Sequence, residues 1–216
     1  PKGMALLLST NPYKAYALAA RAFYPVPTLK PYVAETAFID GGARVDPSCC
    51  IKHGAVIGAN ATIGRNCLIE ANAVIGPQVT VGRRCRIGAA AVVGGWTDIG
   101  DDTQVFPMAS IGMAPQHLRF KGEDTRLTIG RGNTFREFVT INRATVEGGG
   151  QTRIGERNFF MAYVHVAHDC QIGSDTIFGP HATLGGHVIV EDFANVSAGT
   201  AVHQFCRVGR HAFTGG

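Results

Sequence analysis

The sequence predicts an all-β chain wound as a parallel β-helix, a triangular prism of stacked hexapeptide units. Three observations carry that reading. An aliphatic residue returns every sixth position, glycine usually follows it, and a small or β-branched residue comes four places after it. The clearest run is Ile57, Ile63, Ile69, Ile75, Val81, Ile87, Val93, Ile99, Val105 and Ile111. Glycine follows eight of these ten, at 58, 64, 76, 82, 88, 94, 100 and 112. The small slot holds Ala61, Cys67, Ala73, Val79, Cys85, Ala91, Thr97, Thr103 and Ala109. A second run in a new frame reads Ile154, Phe160, Val166, Ile172, Phe178, Leu184, Val190, Val196, Val202 and Val208.

A period of six fits neither a 3.6-residue helix nor a simple alternating strand, and it is a signature of β-helix repeats. Each unit reads as a short flat strand and a turn. Three units close one triangular coil of 18 residues, and coils stack at the strand spacing of ~4.8 Å. The aliphatic and small slots then point into the prism. Glycine after the aliphatic is expected to supply the backbone freedom that each corner demands. The 28 glycines agree with a chain that must turn this often.

In chain order, residues 1–32 form an N-terminal strand and helix segment. Pro1–Thr10 reads as a short apolar strand. Asn11 offers an N-cap and Pro12 a first-turn proline for a helix over Tyr13–Phe23. Pro25, Pro27 and Pro31 end that helix. The prism occupies 33–216, with loops near 114–127 and 143–153. The first loop, around Pro115–Arg126, is polar and has no aliphatic in the inward slots. The second is expected from a single residue too many between Ile141 and Ile154. Loops that leave a solenoid are where its function is sought.

Composition excludes several classes. Hydrophobic residues make up 45%, which argues against wholesale disorder. A net charge of +4, without a long basic run, does not read as a nucleic-acid binder. It suits an acidic protein or a phosphate-bearing ligand better. No apolar run approaches the ~18 residues of a membrane helix, and Met4–Leu8 is too short for a signal-peptide core. A cytoplasmic location is expected. The six cysteines show no Cys-x-x-Cys spacing. Cys49, Cys67, Cys85, Cys170 and Cys206 fall in the small inward slot, so they read as reduced core fillers rather than disulfides.

Four histidines recur in neighbouring coils: His165, His168, His187 and His203. None occupies an inward slot, so all are expected on the surface or at corners. The 18-residue repeat stacks Gly186 over His168, His187 over Asp169 and His203 over Gly185. An imidazole beside a backbone N–H with no side chain in the way is what acyl transfer to a hydroxyl needs. Asp169 would set the tautomer of His168. No third ligand follows His165-x-x-His168 at a matching spacing, so no metal ligand set is assigned.

Longer motifs add a resemblance. They are IG-x-x-PQ-x-L with GE (Ile111–Glu123), REFVTINR-x-T with GGG-x-T (Arg136–Thr152), M-x-YVHVAHDC (Met161–Cys170), L-GGHV (Leu184–Val188) and AVHQF (Ala201–Phe205). In these the chain closely resembles the UDP-N-acetylglucosamine O-acyltransferases that begin lipid A synthesis. The resemblance implies a left-handed prism and a homotrimer with active sites between subunits. It implies transfer of an (R)-3-hydroxyacyl group from acyl carrier protein, as a phosphopantetheine thioester, to the sugar 3-hydroxyl, with no further cofactor. By position it makes His168 the general base, Asp169 its orienting partner and the Gly186 N–H the oxyanion donor. His165, His187, His203 and Gln204 would line the substrate cleft. Gln116, Leu118 and Arg119 would contact sugar nucleotide or acyl chain, and Gly216, with Phe213 nearby, would limit acyl length. Arg153, Arg157, Arg207 and Arg210 suit an acidic carrier protein.

The chain departs from that pattern in places. His117 stands where many members have Asp, Arg119 where many have Lys, and Ala144 where Gly is usual. The chain stops at Gly216, ahead of the C-terminal helices the resemblance implies for nucleotide binding. Leu6–Pro25 instead resembles the domain join of the UDP-3-O-acylglucosamine N-acyltransferases. The alternatives are therefore that N-acyltransferase, another hexapeptide acyltransferase, or a non-catalytic trimeric scaffold.

Overall fold

The computed structural model describes residue 3 and residues 8–24 and 29–215. Most of the expected N-terminal strand, together with Pro25, Pro27 and Gly216, lies outside the described residues. The described chain is a left-handed parallel β-helix whose short strands form three parallel sheets, the faces of the prism. The first face begins at Tyr32–Val33, the second at Phe38–Ile39 and the third at Arg44–Val45. Each strand pairs with the strand one coil away, as in Ile51 with Ile69, Ile57 with Ile75 and Ile63 with Val81. The 18-residue register predicted from the sequence is therefore the pairing register.

The inward slots are filled as read. Ile57, Ile69, Ile75, Ile87, Val93 and Ile111 are wholly buried, and so are Ala61, Cys67, Ala73 and Ala91 in the small slot. In the later coils the aliphatic slot of the first face turns aromatic. Phe135, Phe160 and Phe178 stack inside the prism with ring centroids 4.9 and 4.6 Å apart. Beside them Asn133 and Asn158 occupy small slots, and each amide is satisfied by backbone carbonyls of the coil corners. All six cysteines are free, and Cys49, Cys67, Cys85 and Cys170 are buried as expected. Burial pushes the Cys170 thiol up to about 12, which keeps it protonated and inert. Cys206 departs from expectation: its slot belongs to the last described coil, and the residue is exposed.

The glycines serve a different purpose from the one expected. The left-handed corner residues are the ones two places further on, among them Asn60, Asn66, Gln78 and Arg84, with φ between 56° and 60°. The N–H groups of Gln78 and Arg84 donate to the Ala59 and Arg65 carbonyls one coil back, each at 2.9 Å, while that of Asn66 donates to Ser48 Oγ at 2.8 Å. At Gly88 a Cβ would instead lie 2.6 Å from the Pro107 nitrogen and 2.7 Å from the Phe106 carbonyl carbon. Most glycines after an aliphatic thus answer to close approach between coils; Gly112, with φ 77°, takes the left-handed conformation as well.

The loops also differ from the count. Ile111 pairs with Ile141 and Ile129 with Ile154 across coils that the loops lengthen. Ile141 and Ile154 lie on adjacent faces, which a regular unit joins in six residues, so seven residues leave the prism rather than one. A period of six conceals any insertion by whole units. Both loops leave between strands of the second face (Ser110–Met113 and Thr140–Asn142) and the third (Arg126–Ile129 and Gln151–Ile154). They share one corner.

The helix runs Pro12–Phe23, one residue longer than predicted, and the Asn11 side chain accepts from the Lys14 N–H at 3.0 Å. None of its residues is buried, so it adds nothing to the core. No helix among the described residues is long and apolar enough to cross a membrane. Phe160→Ala, which empties the centre of the aromatic stack, should lower the unfolding free energy by about 3–5 kcal/mol in denaturant titration. Gly88→Ala should also destabilise, because its methyl has only backbone to displace.

A candidate active site at the corner of the two loops

The corner between the second and third faces carries both loops, and one coil further it carries His168 and Asp169. Asp169 takes the left-handed corner conformation, with φ 62°. In a regular coil the N–H of such a residue donates to a carbonyl of the corner below. Here the second loop has replaced that corner, and the Asp169 N–H donates to Thr152 Oγ1 at 2.8 Å. The side chain turns into the loop and is wholly buried.

Three donors meet its carboxylate. The Thr145 N–H reaches Oδ1 at 3.0 Å, and Thr145 Oγ1 reaches Oδ2 at 2.7 Å. His168 Nδ1 lies 2.6 Å from Oδ2. A carboxylate only accepts, so Nδ1 carries the proton and Nε2 of the neutral ring is left with its lone pair. His187, one coil on, stands edge-on to His168 at 5.3 Å between centroids, and its Nε2 lies 3.7 Å from Asp169 Oδ2. His117 of the first loop stands edge-on to His168 on the other side, also at 5.3 Å. Gly186 passes over the His168 ring so closely that a Cβ there would be 2.7 Å from Cε1. Its N–H donates to no group among the described residues.

The remaining predicted residues are distributed around this centre. Gln204 and His203 are exposed and, with Thr183, Gly185, Ala201 and Val202, line an open groove on the second face. His165 faces outward on the same face, and its Nδ1 is 2.7 Å from Thr140 Oγ1. On the first loop Gln116 and Leu118 are exposed, and Arg119 bridges to Glu147 of the second loop at 3.0 Å. Phe213 is not at this corner: it is exposed on the last described strand of the first face. Of the four arginines, Arg157 pairs with Asp175 and Arg207 with Glu191. Arg153 and Arg210 make no ion pair among the described residues.

Sequence reasoning did not find Thr145, Gly148 or Phe205. Gly148 seats the loop on the carboxylate, since a Cβ there would fall 2.3 Å from Oδ1. Phe205 stacks on His187 at 4.5 Å. All three lie inside the quoted motifs, REFVTINR-x-T with GGG-x-T and AVHQF, which carried no role for them. The sequence assigned no metal ligands, yet His168, Asp169 and His187 bring potential ligand atoms within 4.8 Å of one another. The carboxylate oxygens of that group already take the Thr145 and His168 donors, which fits a hydrogen-bonded base better than a cation site.

A histidine, a carboxylate and an unencumbered glycine N–H thus meet at this corner of the prism. The family described as bacterial transferase hexapeptide (six repeats) matches residues 60–95 and 151–186. Over about half of its length the chain is strongly homologous to the UDP-N-acetylglucosamine O-acyltransferases. It is 56% identical over 113 residues to the acyl-[acyl-carrier-protein]–UDP-N-acetylglucosamine O-acyltransferase of Janthinobacterium sp. (strain Marseille), covering 52% of this chain and 43% of that one. The Aliarcobacter butzleri (strain RM4018) protein of the same name is 50% identical over 117 residues, 54% and 45% of the two chains. The chain thus spans somewhat under half the length of these curated relatives. Among solved structures, Arabidopsis UDP-N-acetylglucosamine acyltransferase superimposes with a TM-score of 0.74 at 30% identity, over 86% of this chain and 66% of that one. The Bacteroides fragilis 9343 acyltransferase gives 0.65 at 34%, over 84% and 64%.

Burial holds the His165 pKa below the ordinary histidine value. Between the folded value and the unfolded ~6.5 the unfolded chain binds the extra proton, so stability falls as pH drops through that window. Replacing His165 by Gln should flatten this loss when urea midpoints are compared at pH 7.5 and below.

Proposed function

We propose that the chain transfers an (R)-3-hydroxyacyl group from acyl carrier protein to the 3-hydroxyl of UDP-N-acetylglucosamine, the first step of lipid A synthesis. The observation that carries this reading is the Nδ1–H of His168 held by Asp169 at 2.6 Å, with the Gly186 backbone lying across the ring. His168 Nε2 takes the proton of the acceptor hydroxyl as its oxygen attacks the thioester carbonyl. The oxyanion of the tetrahedral intermediate receives the Gly186 N–H. As the C–S bond breaks, the imidazolium returns the proton to the departing phosphopantetheine thiolate. His187, whose Nε2 lies 3.7 Å from Asp169 Oδ2, borders the same carboxylate.

His165, His203 and Gln204 border the groove proposed for the acceptor, and Gln116, Leu118 and Arg119 form its loop side. An acyl-length role for Phe213, on the last described strand of the first face, requires a second subunit to bring it to this corner. That is one reason to propose a homotrimer with sites between subunits. Arg153 and Arg210 are the arginines left to meet an acidic carrier protein, acting in the cytoplasm.

Purified protein, 3-hydroxyacyl carrier protein and UDP-N-acetylglucosamine should give acylated nucleotide sugar by mass spectrometry. Product only from a 3-O-acylated amine acceptor would move the reading to N-acyl transfer. His168→Ala should lower the rate at least ~10²-fold, the usual worth of a general base, with the fold intact by circular dichroism. Undiminished turnover in that variant would overturn the base assignment.

A further inference from the structure

The acyltransferase reading assigns His168 and Asp169 but gives the second loop no part, and the geometry of that loop is specific. Thr145 meets Asp169 with both its N–H and its hydroxyl, one on each carboxylate oxygen. The hydroxyl can donate in that direction because it accepts the Gly148 N–H at 3.1 Å. The turn that makes this relay fits over the carboxylate only because residue 148 has no side chain. Thr145 is itself buried, at 5% exposure, so neither bond is traded with water. The corner below Asp169 has been replaced by this loop, and apart from Thr145 only His168 hydrogen-bonds the carboxylate among the described residues.

We propose that Thr145 is a positioning residue: through Asp169 it sets the tautomer and aim of the His168 ring, and the second loop exists at this corner to deliver it. The argument runs through hydrogen-bond capacity. An Asp169 carboxylate short of the Thr145 hydroxyl has a vacant acceptor site on the oxygen that also holds His168. Rotation about its χ2 then weakens the 2.6 Å bond to Nδ1. The ring loses its preference for the Nδ1–H form and, with it, a lone pair fixed at Nε2. Charge is unchanged, since the base and its carboxylate are both still present. The expected defect is thus in turnover rather than in substrate affinity.

The inference rests on the acyltransferase reading for its kinetic consequence, but not for its tautomer. Thr145→Val keeps the shape and removes the hydroxyl; Thr145→Ser restores it. Two-bond nitrogen–proton NMR spectra of the histidines, taken without substrate near pH 8, report which nitrogen of His168 carries the proton. His168→Ala assigns the signal. The wild type and Thr145→Ser should show the Nδ1–H form, and Thr145→Val a mixture of the two tautomers. In turnover assays Thr145→Val should lose about 10- to 10²-fold in kcat, less than loss of the base itself, with KM within about threefold. Val146→Ala, an exposed side chain of the same loop, should match the wild type. An unaltered His168 tautomer in Thr145→Val would overturn the proposal, and so would a defect confined to KM or one that serine fails to rescue. A wild type that forms no product while its tautomer still depends on Thr145 would count against the acyltransferase reading alone.

Discussion

Coil-on-coil hydrogen bonding constrains everything else in this chain. Strands of two to four residues cannot be stable alone, so each strand is paired with the coil above or below it. The spacing leaves no freedom to slip, because a shift of one residue would turn Ile and Val outward and corner residues inward. Close approach follows from the same pairing, which is why glycine recurs where one coil's backbone crosses the next. An insertion can be absorbed only at a corner, where the chain is already turning away from the faces. Both insertions use the same corner, and the site is built where they leave.

The loops have a cost in the prism beneath them. Among the described residues, the buried polar atoms without a partner are Thr97 Oγ1, Thr125 Oγ1, Asn142 Oδ1 and Arg143 Nε, all close to that corner. Arg143 is nearly buried, and its guanidinium lies over the Trp96 and Phe120 rings at 5.1 and 5.5 Å. Burial pushes its pKa down from the usual arginine range. Stacking on two aromatic faces offsets part of that penalty. Imperfect local satisfaction is concentrated where the two loops interrupt the repeat, while the coils on either side hold the corner in place.

How much of this was legible follows from the range of the interactions. Inward slots, register and three-faced architecture depend on residues six and 18 apart, and a repeating sequence states such spacings directly. The histidines and Asp169 were legible for the same reason, since the 18-residue repeat places Gly186 on His168. Loop length was not legible, because the frame is known only modulo six and the second loop's seven residues look like one. Nor was the purpose of glycine, since positive φ and close approach leave the same mark in the sequence. Gln78 and Arg84 adopt the corner conformation with side chains that would not have been chosen for it. Cys206 was misplaced by treating the last described coil as if it had the neighbours of an internal one.

Thr145 escaped for a deeper reason. Its contact with Asp169 joins residues 24 apart across a loop whose path no periodicity describes. The repeat predicts what lies above His168, one undisturbed coil away, but not what lies beneath Asp169, where a coil corner is missing. That absence is itself what lets the site form. A regular corner would offer Asp169 a backbone carbonyl, which a carboxylate cannot use. The loop offers it an N–H and a hydroxyl instead, and the N–H of Asp169 finds Thr152. The prism supplies rigidity from above and the loop supplies hydrogen-bond donors from below. A buried carboxylate beside a histidine is stable at this corner because the repeat was broken there.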